Sequence, residues 1–115
     1  MVRVSDKSKD HYVFTDINEL DITNRDVLHT FVNKEQIDII VNCAAYTNVD
    51  KAEEDERTAN LVNNVAVGYL AEGAKSVGAT LIHVSTDYVF SGKNNVPYTE
   101  HDMTEPIGIY GETKL

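Results

Sequence analysis

Two short apolar runs, separated by a long amphipathic segment, place the strongest constraint on how this chain can fold. IDIIVN (residues 37–42) and TLIHVS (residues 80–85) are rich in β-branched residues and are typical of strands that are covered on both faces. Between them, residues 58–77 carry apolar side chains at helical spacing, and Gly78 is expected to end that helix. A strand, a helix and a second strand in this order predict a right-handed parallel crossover.

The flanking segments extend this alternation of strands and helices. A short β-rich run at residues 12–15 predicts an earlier strand, and TNRD (residues 23–26) has the form of a capping box that opens a helix. The acidic residues 53–56 are interpreted as a solvated helix start, and a last helix is expected after Pro106. The whole pattern predicts the α/β class, with a Rossmann-like doubly wound parallel sheet.

Composition excludes several classes of function. The net charge of −9 has the wrong sign for a surface that neutralises nucleic-acid phosphates, so no nucleic acid is expected as a partner. No apolar run approaches the length of a membrane span, and no membrane partner is expected. The single cysteine, Cys43, is expected to be a small buried residue. One cysteine cannot form a disulfide within the chain, so a reducing compartment is expected, which indicates the cytoplasm. The histidines lack ligand spacing, so no metal site is predicted.

The candidate chemistry lies where each central strand ends and at the end of the chain. The polar segments NCAAYTNVD and STDYVF follow the two strands, at the edge where open parallel sheets bind ligands. Tyr110 and Lys114 are four residues apart, on one face of the predicted last helix. A neighbouring ammonium favours a phenolate, so this pair is typical of proton transfer to a carbonyl. Thr86 could donate a second hydrogen bond to the same oxygen.

Three motifs occur together in a recognisable order. They are VNCAAYTNVDKAE, then STDYVFSG with PYTE downstream, and finally P-x-x-x-YGxTKL. In this order and spacing they resemble the dTDP-4-dehydrorhamnose reductases of the extended short-chain dehydrogenase/reductase superfamily, and TDINELDITN resembles a further segment of that family. The resemblance runs from about Tyr12 to Leu115.

The resemblance implies a reaction and roles for its residues. NADPH or NADH would deliver hydride to C4 of dTDP-4-dehydro-L-rhamnose and give dTDP-L-rhamnose. Tyr110 would be the proton donor, and Lys114 would lower the pKa of that tyrosine and bind the nicotinamide ribose. Thr86 would hold the carbonyl oxygen, with Asp87 beside it at the substrate.

The resemblance also implies contacts with the rest of the cofactor. Asp21 and Ile22 match a pair near the adenine, and the segment Ala45, Tyr46 and Thr47 matches residues under the ribose and phosphates. Asn64 matches a helix asparagine that supports the active site.

The chain departs from the family at both ends. The family begins with a strand and a G-x-x-G-x-x-G turn that cradles the pyrophosphate, whereas the first glycine here is Gly68. The family's sugar-binding C-terminal region is absent as well, and residues 1–10 match the end of the helix after the missing turn. We therefore expect an internal piece of a longer reductase: residues 1–115 form a partial NAD(P)-binding Rossmann-like domain, with the first strand and Gly-rich turn missing.

This incompleteness has expected consequences. A missing strand would leave one sheet edge unpaired and apolar surface uncovered, which favours self-association. Without the phosphate cradle, the chain alone is expected to bind cofactor weakly and to be inactive. A homodimer is expected only for a longer parent protein.

Two alternatives stay open at the level of sequence. The first is a nucleotide-sugar epimerase or dehydratase of the same superfamily; these often carry SS-x-x-VYG, and Asp87-Tyr88 in this chain favours the reductase. The second is a non-catalytic regulatory relative, which the missing glycine turn favours and the intact Thr86, Tyr110 and Lys114 oppose.

Overall fold

The computed structural model describes residues 10–115 as alternating helices and strands around one two-stranded sheet. The expected helix end in residues 1–10 falls almost wholly outside the described part of the chain. The elements in chain order are α1 (Arg25–Glu35), β1 (Ile39–Asn42), α2 (Val49–Glu54), α3 (Glu56–Asn60), a π turn (Leu61–Val65), α4 (Ala66–Val77), β2 (Thr80–His83), a 3-10 turn (Asp87–Val89) and α5 (Ile109–Lys114). The predicted α/β class is confirmed.

The two strands are parallel, as the crossover through the long helix predicts. Ile40 pairs with Leu81, and both side chains pack on the core side of the sheet. The centre of that core is a cluster of buried aliphatic side chains from α1, α4 and the segment before α1, namely Leu20, Leu28, Val32 and Leu70. Because parallel strands present their carboxyl ends at one edge, the segments after Asn42 and His83 leave the sheet side by side.

Local hydrogen bonds explain where the first and fourth helices begin or end. Asn24, rather than Thr23, caps α1, because its side chain accepts a hydrogen bond from the Val27 N–H. Gly78 ends α4 in the left-handed region at φ 73°, where glycine has no steric penalty, as predicted. None of the helices within residues 10–115 is long and apolar enough to cross a membrane.

Two predictions about strands are wrong. Residues 12–15 form no strand, since among the described residues no neighbouring strand supplies their hydrogen-bond partners. The sheet is also not covered on both faces: its outer face exposes four aliphatic side chains, Ile39, Val41, Ile82 and Val84. The expected uncovered apolar surface is therefore present.

The region between the strands differs in detail from its prediction. The acidic residues 53–56 do not form one helix start, because α2 ends at Glu54 and the Asp55 side chain caps α3 by accepting from the Thr58 N–H. The predicted helix at residues 58–77 begins two residues earlier, at Glu56, and contains the π turn. Single π turns within helices are rare and are often found at functional sites.

Candidate active site

A cleft of about 140 Å³ lies at the carboxyl edge of the sheet. Both strand ends and α5 contribute to its lining, which consists of Asn42, Cys43, Ala44, Ala45, Thr47, Val84, Ser85, Tyr110 and Lys114. The predicted pair Tyr110 and Lys114 therefore meets the two polar strand ends at one place. Ala44 and Ala45 carry no side-chain atom beyond Cβ, so the backbone of this wall is open to close approach by a flat group.

Lys114 is buried at the base of this cleft although it is the last residue of α5. Its Nζ donates a hydrogen bond of 2.6 Å to the Val84 carbonyl and lies 3.3 Å from Nε2 of His83. Burial lowers the pKa of the Lys114 ammonium, because the charged form loses hydration. The lysine is thus anchored to the backbone that leaves β2.

His83 links Lys114 to the first strand. Its Nδ1 lies 3.1 Å from the Asn42 amide nitrogen, and the Asn42 side-chain oxygen accepts from the Ala44 N–H. Burial, together with the nearby Lys114 charge, lowers the pKa of His83. The sequence indicated only that His83 lacks the spacing of a metal ligand, since its neighbours become visible only when the strands pair.

Two contacts fix α5 against the 3-10 turn. A Cβ at Gly111 would meet the Tyr88 carbonyl oxygen and lie 3.0 Å from Pro106, so only glycine allows this approach without a shift. The Tyr88 and Tyr110 rings meet edge to face with centroids 5.5 Å apart. Together they set the direction from which Tyr110 reaches the cleft.

The start of α5 is capped from another helix. Gly108 precedes the helix and offers no side chain, and the Glu53 carboxylate of α2 accepts the Ile109 N–H at 2.8 Å instead. A carboxylate at a helix N-terminus also faces the positive end of the helix dipole. Glu53 is therefore a structural cap, a role that sequence analysis did not assign to it.

Asn63, in the π turn, connects the segment after β1 with α5. Its side chain bonds to both backbone groups of Tyr46, accepting at 2.8 Å and donating at 3.1 Å, and it also donates to Thr113 Oγ1 of α5. The prediction that Asn64 supports the site is wrong, because Asn64 is exposed and bonds only to Asn60 among the contacts observed. The supporting asparagine is its neighbour.

The other predicted site residues lie around the cleft rather than in its lining. Thr86 is half-buried, and its hydroxyl accepts from the Tyr88 N–H at 3.3 Å and donates to the Asp87 carboxylate at 3.2 Å. Of the polar segment that follows β2, Ser85 and not Thr86 lines the cleft. The assignments of Thr86 and Asp87 to the substrate stay predictions, and the expectation that Cys43 is buried is wrong, since it is exposed.

The predicted adenine contacts lie in the segment before α1. The Thr23 hydroxyl and N–H both donate to the Asp21 carboxylate, at 2.7 and 2.9 Å, and lower its pKa. Ile22 packs against the core cluster. Neither residue lines the cleft, and neither does Tyr46, whose flanking residues Ala45 and Thr47 do.

Comparison with known proteins places the chain in a family. The family model described as the RmlD substrate binding domain matches residues 1–115. The dTDP-4-dehydrorhamnose reductase of Mycolicibacterium smegmatis is 48% identical over 99 residues, which are 85% of this chain but only 30% of that relative. The chain thus spans about a third of the length of the curated relatives it matches.

Solved structures agree with the fold. A dTDP-4-dehydrorhamnose reductase from Clostridium acetobutylicum superposes with a TM-score of 0.92 at 41% identity, over 98% of this chain and 41% of that one. The enzyme of the same name from Bacillus anthracis, in complex with NADP, superposes with a TM-score of 0.89 at 37% identity, over 97% of this chain and 41% of that one. The fold is therefore Rossmann-like, and the chain belongs to the RmlD substrate binding domain family, whose relatives named here are dTDP-4-dehydrorhamnose reductases.

Proposed function

We propose that this chain carries the proton-transfer part of an NAD(P)H-dependent reductase that converts dTDP-4-dehydro-L-rhamnose to dTDP-L-rhamnose. The observation that carries the proposal is the convergence of Tyr110 and Lys114 with both strand ends at one cleft. When bound, NADPH or NADH supplies the hydride. We assign residues 1–115 to part of the NAD(P)-binding domain.

In this proposal the residues of the chain bind, orient and transfer the proton. Tyr110 donates its proton to the C4 oxygen of the ketosugar, and the Lys114 ammonium stabilises the phenolate that remains. Thr86 and Asp87 position the sugar from the 3-10 turn. The segment Ala45, Tyr46 and Thr47 lies under the ribose and phosphates of the cofactor, and Asp21 and Ile22 lie toward the adenine.

We further propose that the 115 residues alone bind the cofactor weakly and are inactive. Their sequence has no G-x-x-G-x-x-G turn, and backbone N–H groups of such a turn bind the pyrophosphate. We also propose the cytoplasm as the compartment, since an exposed thiol such as that of Cys43 persists where the surroundings are reducing. A homodimer of a longer parent protein stays a prediction.

A chimera tests the proposed reaction. The matched 99 residues of the Mycolicibacterium smegmatis relative are replaced by those of this chain, and NADPH oxidation with dTDP-4-dehydro-L-rhamnose is followed. We expect the chimera to turn over and to bind NADPH at micromolar concentration, and the 115-residue chain to do neither. Tyr110→Phe should reduce kcat of the chimera by about 10²–10⁴-fold, because the proton donor is lost.

Tyr69→Phe is the matched control, since this hydroxyl lies on α4 and not in the cleft lining. It should leave kcat unchanged. A folded chimera with no turnover would refute the reaction, and full turnover by Tyr110→Phe would remove Tyr110 from the mechanism. Micromolar NADPH binding by the chain alone would refute the role given to the missing turn.

A further inference from the structure

The side chains of Asn42, His83 and Lys114 form a continuous row of polar contacts, and the first and last of them line the cleft. The row begins at the Ala44 N–H, which donates to the Asn42 Oδ1 at 3.1 Å, and continues from the Asn42 Nδ2 to the His83 Nδ1 at 3.1 Å. It ends with the His83 Nε2 at 3.3 Å from the Lys114 Nζ. Asn42 is buried, His83 is half-buried and Lys114 is buried.

The donor and acceptor roles along this row are linked. A backbone N–H can only donate, so the Asn42 oxygen faces Ala44 and its NH₂ group faces His83. His83 must then accept at Nδ1, and its one remaining proton as a neutral ring is on Nε2. That Nε2–H points toward Lys114, where an ammonium has no lone pair to accept it and a neutral amine has one.

We propose that Asn42 and His83 are positioning residues that hold His83 in its Nε2–H tautomer and thereby favour the neutral amine of Lys114. The amine accepts from His83 while one of its own hydrogens bonds to the Val84 carbonyl. With an ammonium instead, two donors meet at one contact of the row, whichever neutral tautomer the ring takes and whichever way the amide is turned. The buried location of the lysine acts in the same direction.

The other titratable groups near Lys114 do not replace this control. Cys43 and Tyr110 line the cleft with it. Glu53 of α2 bonds at the opposite end of α5, and Asp87 of the 3-10 turn bonds to Thr86. Helix α3 packs against α5, and its charged residues, Glu56 and Arg57, are exposed.

The consequence for catalysis rests on the proposed function. The Lys114 ammonium stabilises the Tyr110 phenolate. Because the row from Ala44 to His83 favours the neutral amine, Lys114 loses its charge, and the phenolate loses its stabilising partner, at a lower pH. It would set the alkaline limit of the pH–rate profile through His83, which does not line the cleft.

Nuclear magnetic resonance of the isotopically labelled 115-residue chain tests the row without any turnover. Long-range ¹H–¹⁵N correlations distinguish the two neutral tautomers of each histidine, and ¹³Cε shifts follow each lysine as pH rises. We expect His83 in the Nε2–H form and Lys114 titrating below the other lysines, with Lys114→Met identifying its signal. His29 is an internal control, because its Nε2 faces the Tyr69 carbonyl at 3.3 Å and should also carry the proton.

Asn42→Leu separates a positioning role from simple burial. It removes the amide that fixes the ring but keeps the number and branching of the side-chain heavy atoms and adds no charge, and water can reach the exposed Ala44 backbone. We expect His83 to change to the Nδ1–H tautomer and the titration of Lys114 to move upward, with His29 unchanged.

An Nδ1–H form of His83 in the unsubstituted chain would overturn the proposal, and that measurement needs no variant to fold. A folded Asn42→Leu variant with both signals unmoved would overturn it as well. Neither result bears on the turnover of the chimera, so failure of this inference is distinguishable from failure of the proposed reaction.

Discussion

Asn63 is the side chain that joins two parts of the site, the segment after β1 and α5. It is 2% exposed, and its amide bonds to both backbone groups of Tyr46 and to Thr113, two residues after the glycine that seats α5. A buried amide with several partners is costly to remove, since each partner is left without a hydrogen bond. Asn63 is thus a support for the site and not a group that reacts.

Asn63→Leu is expected to lower the free energy of unfolding by about 2 kcal/mol, because Tyr46 and Thr113 lose their partner. Asn64→Leu is the matched control and should change it by less than about 0.5 kcal/mol, as an exposed substitution. Urea unfolding of both variants measures the difference. Equal losses in the two variants would contradict the assignment of Asn63.

Sequence patterns located some of the site residues and not others. Tyr110 and Lys114 were predicted from helical spacing, and the cleft confirms that they meet. Asn63 could have been separated from Asn64, because it continues the buried row formed by Ala59, Ala66 and Leu70. The roles of Glu53 and His83 depend on partners about 30 to 56 residues away, so no local pattern indicates them.

At the scale of elements, α5 is a six-residue helix that depends on its surroundings. Isolated helices of this length do not form in water, because nucleation costs more than so few hydrogen bonds return. The Glu53 cap at its start and the Tyr88 backbone against Gly111 supply what the helix lacks. The position of the Tyr110–Lys114 pair is therefore determined by α2 and the 3-10 turn.

Gly111→Ala is expected to destabilise the fold by about 1–3 kcal/mol and to displace α5, because the added methyl group collides with the Tyr88 carbonyl. Gly68→Ala is the control, a helical glycine with no neighbour within 4 Å. It should stabilise by about 0.5–1 kcal/mol. Urea unfolding gives both values, and a stabilising Gly111→Ala would contradict the packing described.

The elements themselves were largely predictable. Apolar periodicity located both strands and the long helix, and the left-handed Gly78 ended it as expected. Residues 12–15 were wrongly predicted as a strand, because β-propensity describes a preference that is realised only beside a paired neighbour. The π turn was not predicted either, because over only five residues its apolar side chains are spaced as in an ordinary helix.

At the scale of the whole molecule, the outer face of the sheet is the main departure from an ordinary α/β domain. Ile39 and Val41 are each 59% exposed, and Ile82 and Val84 are 48% and 57% exposed. Parallel sheets are normally covered on both faces, and contiguous apolar surface of this kind favours association. The apolar face is thus exposed in the structure, while its effect in solution is still a prediction.

We expect the chain to self-associate at micromolar concentration through this face. Val41→Thr combined with Ile82→Thr keeps β-branched side chains but makes them polar, and should shift the molecular mass from light scattering toward the monomer. Val96→Thr is the control, because Val96 is 68% exposed but lies in a loop. A monomeric unsubstituted chain would contradict the expectation.

The anchor of Lys114 has a consequence for how this region can change. Its Nζ holds a main-chain oxygen at position 84, whereas the Val84 side chain is largely exposed. Any amino acid supplies that carbonyl. The side chain at position 84 can therefore vary in size and polarity to suit its surroundings, and Lys114 keeps its hydrogen bond to the main chain.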